Sequence, residues 1–176
     1  MEFNQEKFSE LILHFADKSR YDPNFGAIKL NKLLFLSHFI SYGLNGAPIT
    51  GETYVHFPKG PVPRNLVRSR DELISQGYAE LREVYRFGYK QQRLIAKRGV
   101  NESLFSAAEI DAAGEALSLL KDFNAAQASD LTHRWNCWLL TRQNENIPYE
   151  SFFVRELDNI GLEDFEWAKK LETKAA

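Results

Sequence analysis

The chain has a single cysteine, Cys137, among 176 residues. One thiol excludes a disulfide framework within the chain and fits a reducing compartment. Apolar runs such as Leu33–Leu36 stop at four residues, far short of the ~20 that a membrane span needs. The first residues, MEFNQEKF, are charged and lack the apolar stretch of a signal peptide, so the cytoplasm is the expected location. Phosphate-cradling and nucleophile-elbow patterns are missing too: there is no Walker loop, no GxGxxG and no GxSxG. Neither CxxC nor HExxH occurs, and no cofactor or metal is expected. Stretches rich in Pro, Gly or Ser are absent, as are internal repeats, so residues 1–176 read as one domain.

What is present is aromatic side chains, 13% of the chain, and an uneven charge. Residues 59–98 hold ten Lys and Arg against four acids, a local charge of +6 on a remainder of −8. A basic middle on an acidic body suits an acidic protein partner or nucleic acid.

Hydrophobic spacing gives the elements. Phe8, Leu11, Ile12 and Phe15 form one helical face behind an N-cap at Asn4. Residues Ala27–Leu44 are apolar nearly all round, which places this helix at the centre of the domain. Asn45-Gly46 ends it. A short strand, Thr53–Phe57, precedes the turn His56–Arg64, HFPKGPVPR. A third helix is predicted from Pro63 to Gln76, with Leu66, Val67, Leu73 and Ile74 inward. Tyr78–Arg86 and Tyr89–Lys97 read as a hairpin with one wet face. Ser106 and Glu109 make a capping box for a helix with Ile110, Ala113, Leu117 and Leu120 on one face. Further helices are predicted over Ala125–Thr141, after Pro148, and over Leu162–Leu171. The fold class is therefore α+β and mainly helical, a helical core with a small antiparallel hairpin. The element order in residues 27–97 is winged-helix-like.

The HFPKGPVPR turn is the least ordinary segment. Its prolines and Gly60 stiffen the expected strand-to-helix connection, and a stiff exposed loop loses little entropy on docking. His133 and Cys137, four apart on a helix, offer a thiol–imidazole pair for nucleophilic chemistry, but a cysteine in a Trp-rich window reads as core.

Three blocks together resemble the Panacea (SocA-like) antitoxin domain family. Lys29-Leu30-Asn31-Lys32-Leu33-Leu34-Phe35-Leu36 is similar to the family's KLxKLLYL helix. Phe57-Pro58-Lys59-Gly60-Pro61-Val62-Pro63 is similar to its W-x-x-GPV-P turn, with Phe57 in place of a common Trp. Ser129–His133, followed by Trp135 and Trp138, is similar to its S-x-L-T-H…W segment. With the later Ile147…Phe153 resembling the family's closing element, the resemblance covers about residues 8–155 and leaves 156–176 as a C-terminal helical extension. The resemblance implies a bacterial or phage antitoxin, not an enzyme, that neutralises a cognate toxin by direct contact. It also implies a role as a protease adaptor, as in the founding member. The partner surface is expected at Phe57, Lys59, Val62, Arg64, Arg68, Arg82 and Arg86. Lys29, Lys32, Gly60, Pro61, Pro63, His133 and Trp138 are expected to frame it, with His133 hydrogen-bonded to the turn. The alternative is a winged-helix-like DNA-binding regulator, with Arg64, Arg68 and Arg70 on its recognition helix and Arg82 and Arg86 on its wing.

Overall fold

The computed structural model describes residues 2–86 and 88–154. Its helices are α1 (Gln5–Lys18), α2 (Ala27–Asn45), α3 (Leu66–Ser75), α4 (Ala107–Leu120), α5 (Ala125–His133) and α6 (Asn136–Leu139). Its strands are β1 (Tyr54–Phe57), β2 (Gly60–Pro63), β3 (Ala79–Arg86), β4 (Tyr89–Ala96) and β5 (Asn146–Ile147). The fold is mainly helical α+β, as the spacing predicts. The expected Leu162–Leu171 helix and 156–176 extension lie outside the described residues. No helix among those described is long and apolar enough to cross a membrane.

The central place of α2 follows from its composition. Leu33, Leu34, Phe35, Leu36 and Phe39 are completely buried, so the helix needs neighbours on every side. It gets them from α1, α4, α5, β2 and the 3-10 turn Tyr149–Phe153. Gly46, in the left-handed region at φ 71°, closes its C-terminus by donating to the Tyr42 carbonyl. The predicted caps form: Asn4 accepts from the Lys7 amide, and Ser106 and Glu109 exchange reciprocal bonds. Asn124 and Gln127 make a second capping box that opens α5.

Several buried polar groups in this core are partnered, whereas others, such as His14 Nδ1, have no partner among the described residues. His38 is fully buried on α2, with Nδ1 2.8 Å from the Leu34 carbonyl and Nε2 2.6 Å from the Thr50 hydroxyl. A neutral ring satisfies both: Nδ1 donates and Nε2 accepts. Burial pushes its pKa down to about 4. Between pH 6.5 and 4 the unfolded chain therefore takes up a proton that the folded chain refuses, and stability falls as pH drops through that window. The expected slope is on the order of 1 kcal/mol per pH unit. Urea midpoints from pH 7 to 4 should fall more steeply for the wild type than for His38→Gln; equal slopes would exclude His38 as the cause.

Five details differ from expectation. The HFPKGPVPR segment is not a strand-to-helix connection but a hairpin, with β2 paired antiparallel to β1 and Phe57 opposite Gly60. Pro63 belongs to β2, and α3 begins only at Leu66. Val67, expected inward, is 58% exposed, because the buried face of α3 runs through Leu66, Ser69 and Leu73 and leaves Val67 off it. On α4 the deepest positions are Ala112, Ala113, Ala116 and Leu120, with Ile110 and Leu117 only half-buried; small alanines allow α4 to lie close against α2. The region 125–141 splits at Arg134–Trp135, where Trp135 is extended.

The winged-helix-like order is realised with different pairing. β1 joins β2 and β5 in a sheet of order β2-β1-β5, and β3–β4 forms a separate two-stranded sheet. In a winged helix the first strand completes the wing's sheet; here the two hairpins stand apart.

The β2 sequence explains its place at an edge. The Arg64 amide donates to the Thr53 carbonyl, which sets Gly60, Val62 and Arg64 as the residues whose amides face β1. His56, opposite Pro61, turns its amide to the Glu145 carbonyl on the far side. Pro61 and Pro63 thus occupy the outward-facing positions of the edge strand, where no amide is needed.

Candidate functional site

The three sequence blocks converge on the β1–β2 hairpin. Lys32 rises from α2 directly beneath it. Its side chain is buried, and Nζ donates to the Lys59 carbonyl at 2.8 Å and the Pro61 carbonyl at 3.4 Å. Burial without a carboxylate partner pulls its pKa down to about 7. Gly60 makes this approach feasible. It sits at φ 100°, and a Cβ there would overlap the Lys32 ammonium and meet His133 Nε2 at 3.1 Å.

The third block clamps the hairpin from the side. Trp138 is stacked between two imidazoles, 4.1 Å from the His56 ring centroid and 4.3 Å from that of His133. His56 Nδ1 is 3.0 Å from the Thr141 hydroxyl, so β1 is tied to the chain beyond α6. The break at Trp135 makes this possible, because it reorients α6 and brings Trp138 onto the histidines. Trp135 itself packs on Phe35 and Phe152. The His133 ring does meet the turn, since the neighbouring Lys59 carbonyl acts to raise its pKa as a weak hydrogen bond does, although Nε2 makes no full-geometry bond among the described residues. Burial first, then the Lys32 charge, lowers the His133 pKa.

Lys29, three residues before Lys32, has a different task. Its buried Nζ pairs with Asp22 at 2.7 Å and donates to the Phe123 carbonyl at 2.9 Å and the Lys121 carbonyl at 3.2 Å. It locks the α1–α2 loop and the end of α4 onto α2.

The residues expected at a partner surface are not all together. Phe57 and Lys59 stand exposed at the β1–β2 tip. Val62 lies further along β2, in the wall of a cavity of about 150 Å³ between the two hairpins, α2 and α3. Arg64 donates to Asn146 Oδ1 at 2.8 Å, beside β5. Arg68 pairs with Glu72 on the outer face of α3. Arg82 pairs with Glu80, and the β-alternation places Arg82 and Arg86 on the hairpin face opposite Leu81 and the cavity.

Much of the basic middle is neutralised internally. Arg70 pairs with Asp71, Lys90 with Glu83, Lys97 with Glu80 and Arg98 with the buried Glu10. Arg93 caps the α1–α2 loop, donating to the carbonyls of Ser19, Arg20 and Asp22 at 2.6–2.8 Å. The sequence signal was there in part, since Arg68 and Glu72 are four apart on a helix.

Cys137 is buried, and desolvation pushes its thiol up to about 12, which keeps it protonated. The ring that could have activated it, His133, stacks on Trp138 instead. Cys137 also lines an open groove of about 670 Å³, between α2, α4 and α6, with Leu44, Leu119 and Phe152. Among the described residues no three His, Cys, Asp or Glu side chains gather in a metal-binding group.

The family model for the antitoxin SocA-like, Panacea domain matches residues 30–139. The chain belongs to this family. The matched stretch, more than half of the chain, runs from α2 through the Trp138 clamp. All three segments that meet at Gly60 therefore fall within the Panacea domain. No curated protein and no solved structure gives a significant match.

Proposed function

We propose that this Panacea-domain protein is an antitoxin that neutralises a toxin by direct protein–protein contact, docking through the β1–β2 tip and the cavity beside it. Membership of the antitoxin family carries this reading. The surface assignment is supported by a tip whose backbone is fixed by Lys32 and the Trp138 stack while Phe57 and Lys59 remain exposed. A clamped tip loses little freedom on docking, so its exposed side chains count in full toward affinity. Delivery of the bound toxin to a protease would extend the same contact. The internal pairing of Arg68, Arg70 and Arg82 supports a protein partner over duplex DNA, because phosphates would have to displace those carboxylates.

The test is co-expression with the protein encoded beside it, followed by calorimetry of the purified pair. Phe57→Ala with Lys59→Glu should weaken the complex by about tenfold or more, as truncation at an interface anchor does, while the melting temperature stays unchanged. Full affinity in that double variant would remove the tip from the interface. Failure of the pair to associate would count against the antitoxin reading itself.

A further inference from the structure

The groove of about 670 Å³ beside Cys137 joins an apolar strip to a charged edge. Ile40 and Leu44, one turn apart on α2, begin the strip, and Leu44 is 74% exposed. Leu119 on α4 continues it and is 40% exposed. Asp111 and Glu115 precede Leu119 at one-turn intervals on the same face of α4. Arg134, between α5 and α6, completes the charged lining. Among the described residues, Asp111, Glu115 and Arg134 form no ion pair. Open apolar surface rimmed by charge is the mark of a surface that another segment covers.

The chain itself leads into this groove. Phe152 lies in its wall and packs against the backbone of Gly43, where a Cβ would overlap the ring. Two residues later the Val154 carbonyl accepts from Asn136 Nδ2 at 2.7 Å, and Asn136 is another wall residue. Residues 155–176, which lie outside the described ones, therefore follow directly from the rim. Extended, the stretch 155–166 reaches about 40 Å. That exceeds the roughly 12 Å that separates Asp111 from Leu119 along α4. A tether this short holds what it carries at a local concentration in the millimolar range, so even a weak contact is populated.

The sequence beyond the tether matches the groove in spacing and in sign. The helix predicted over Leu162–Leu171, taken one turn further, sets Trp167 and Leu171 one turn apart, as Ile40 and Leu44 are. Lys170 and Lys174, also one turn apart, run along the edge of that face, as Asp111 and Glu115 run along the edge of the groove. Asp164, three residues before Trp167, brings an acid for Arg134.

We propose that the groove between α2, α4 and α6 is the seat of the chain's own residues 164–174. Trp167 and Leu171 cover Ile40, Leu44 and Leu119, and the two lysines meet Asp111 and Glu115.

The test is hydrogen exchange on the full chain, read residue by residue by NMR. Amides of residues 165–174 should exchange about tenfold slower in the wild type than in Leu44→Lys. That substitution lies at an exposed position far away in sequence, so it reaches these amides only through docking. Asp111→Lys with Glu115→Lys should remove the protection as well, and adding Lys170→Glu with Lys174→Glu should restore it. Within one chain, the Trp167 indole should show NOEs to methyl groups of Ile40, Leu44 and Leu119. Equal exchange in the wild type and Leu44→Lys, or no recovery in the fourfold charge swap, would overturn the proposal. NOEs found only between differently labelled chains would give the groove to a second copy and overturn it too. So would a groove that becomes covered only when the toxin is added.

Discussion

Replacing Gly60 by alanine is expected to destabilise the protein by roughly 3–4 kcal/mol, the sum of a strained backbone and a displaced ammonium. At φ 100° an alanine is strained whatever the space around it. Its Cβ would also drive the Lys32 Nζ away from the Lys59 and Pro61 carbonyls, which then lie buried and unpaired. For a chain of this length the melting temperature should drop by about 10 °C. The companion variant Gly60→Ala with Lys32→Ala removes the overlap but keeps the strain, and should recover part of the loss. If the double variant melts no higher than Gly60→Ala alone, the overlap with Lys32 is not the cause.

Lys29→Met is expected to cost about 3–5 kcal/mol, the range for breaking a buried ion pair from one side. The substitution leaves Asp22 without its cation and the Phe123 carbonyl without its donor. Asp22→Asn in the same chain should return part of the loss, since the stranded charge is then gone. A urea-denaturation cycle over the four variants measures that coupling. Additive losses would mean that the two side chains act independently. Lys32→Met, with no carboxylate to strand, should cost less than Lys29→Met, although both lysines are equally hidden in α2.

The contrast between these lysines marks how far the sequence could be read. The course of α2, its stop at Gly46 and the Ser106 capping box were legible because each is local: a few neighbouring residues decide it. The α+β class followed from the same patterns. β2 was not legible, because Gly-Pro-Val-Pro reads as a turn unless its period-two placement of prolines is recognised as an edge-strand pattern. The splitting of 125–141 was hidden as well, since Trp135 is pulled out of the helix by Phe35 and Phe152, which lie far away in sequence. A lysine in an apolar helix signals a buried amine, yet neither Lys29 nor Lys32 announces its acceptors. Those are carbonyls of distant loops, and only the fold brings them near. The candidate surface suffered from the same limit. The tip residues and Val62 lie along one hairpin, whereas Arg68 and Arg82 answer to carboxylates close by in sequence, which a count of basic residues overlooks.

The alternation of Pro61 and Pro63 on the outer side of β2 bears on how this protein behaves when crowded. An edge strand with free outward amides is a template on which other chains, including newly made copies, can grow a shared sheet. Pro61 and Pro63 are buried in the folded domain, so this edge meets other chains only while the hairpin is undocked; ordinary residues at these positions would also add buried amides without partners, so the damage would fall on folding as well as on solubility. The prolines also decide what the hairpin can offer to another protein. It has no backbone to lend along that buried edge, and recognition is left to the side chains of its exposed tip, which can be exchanged one at a time without redrawing the sheet beneath them.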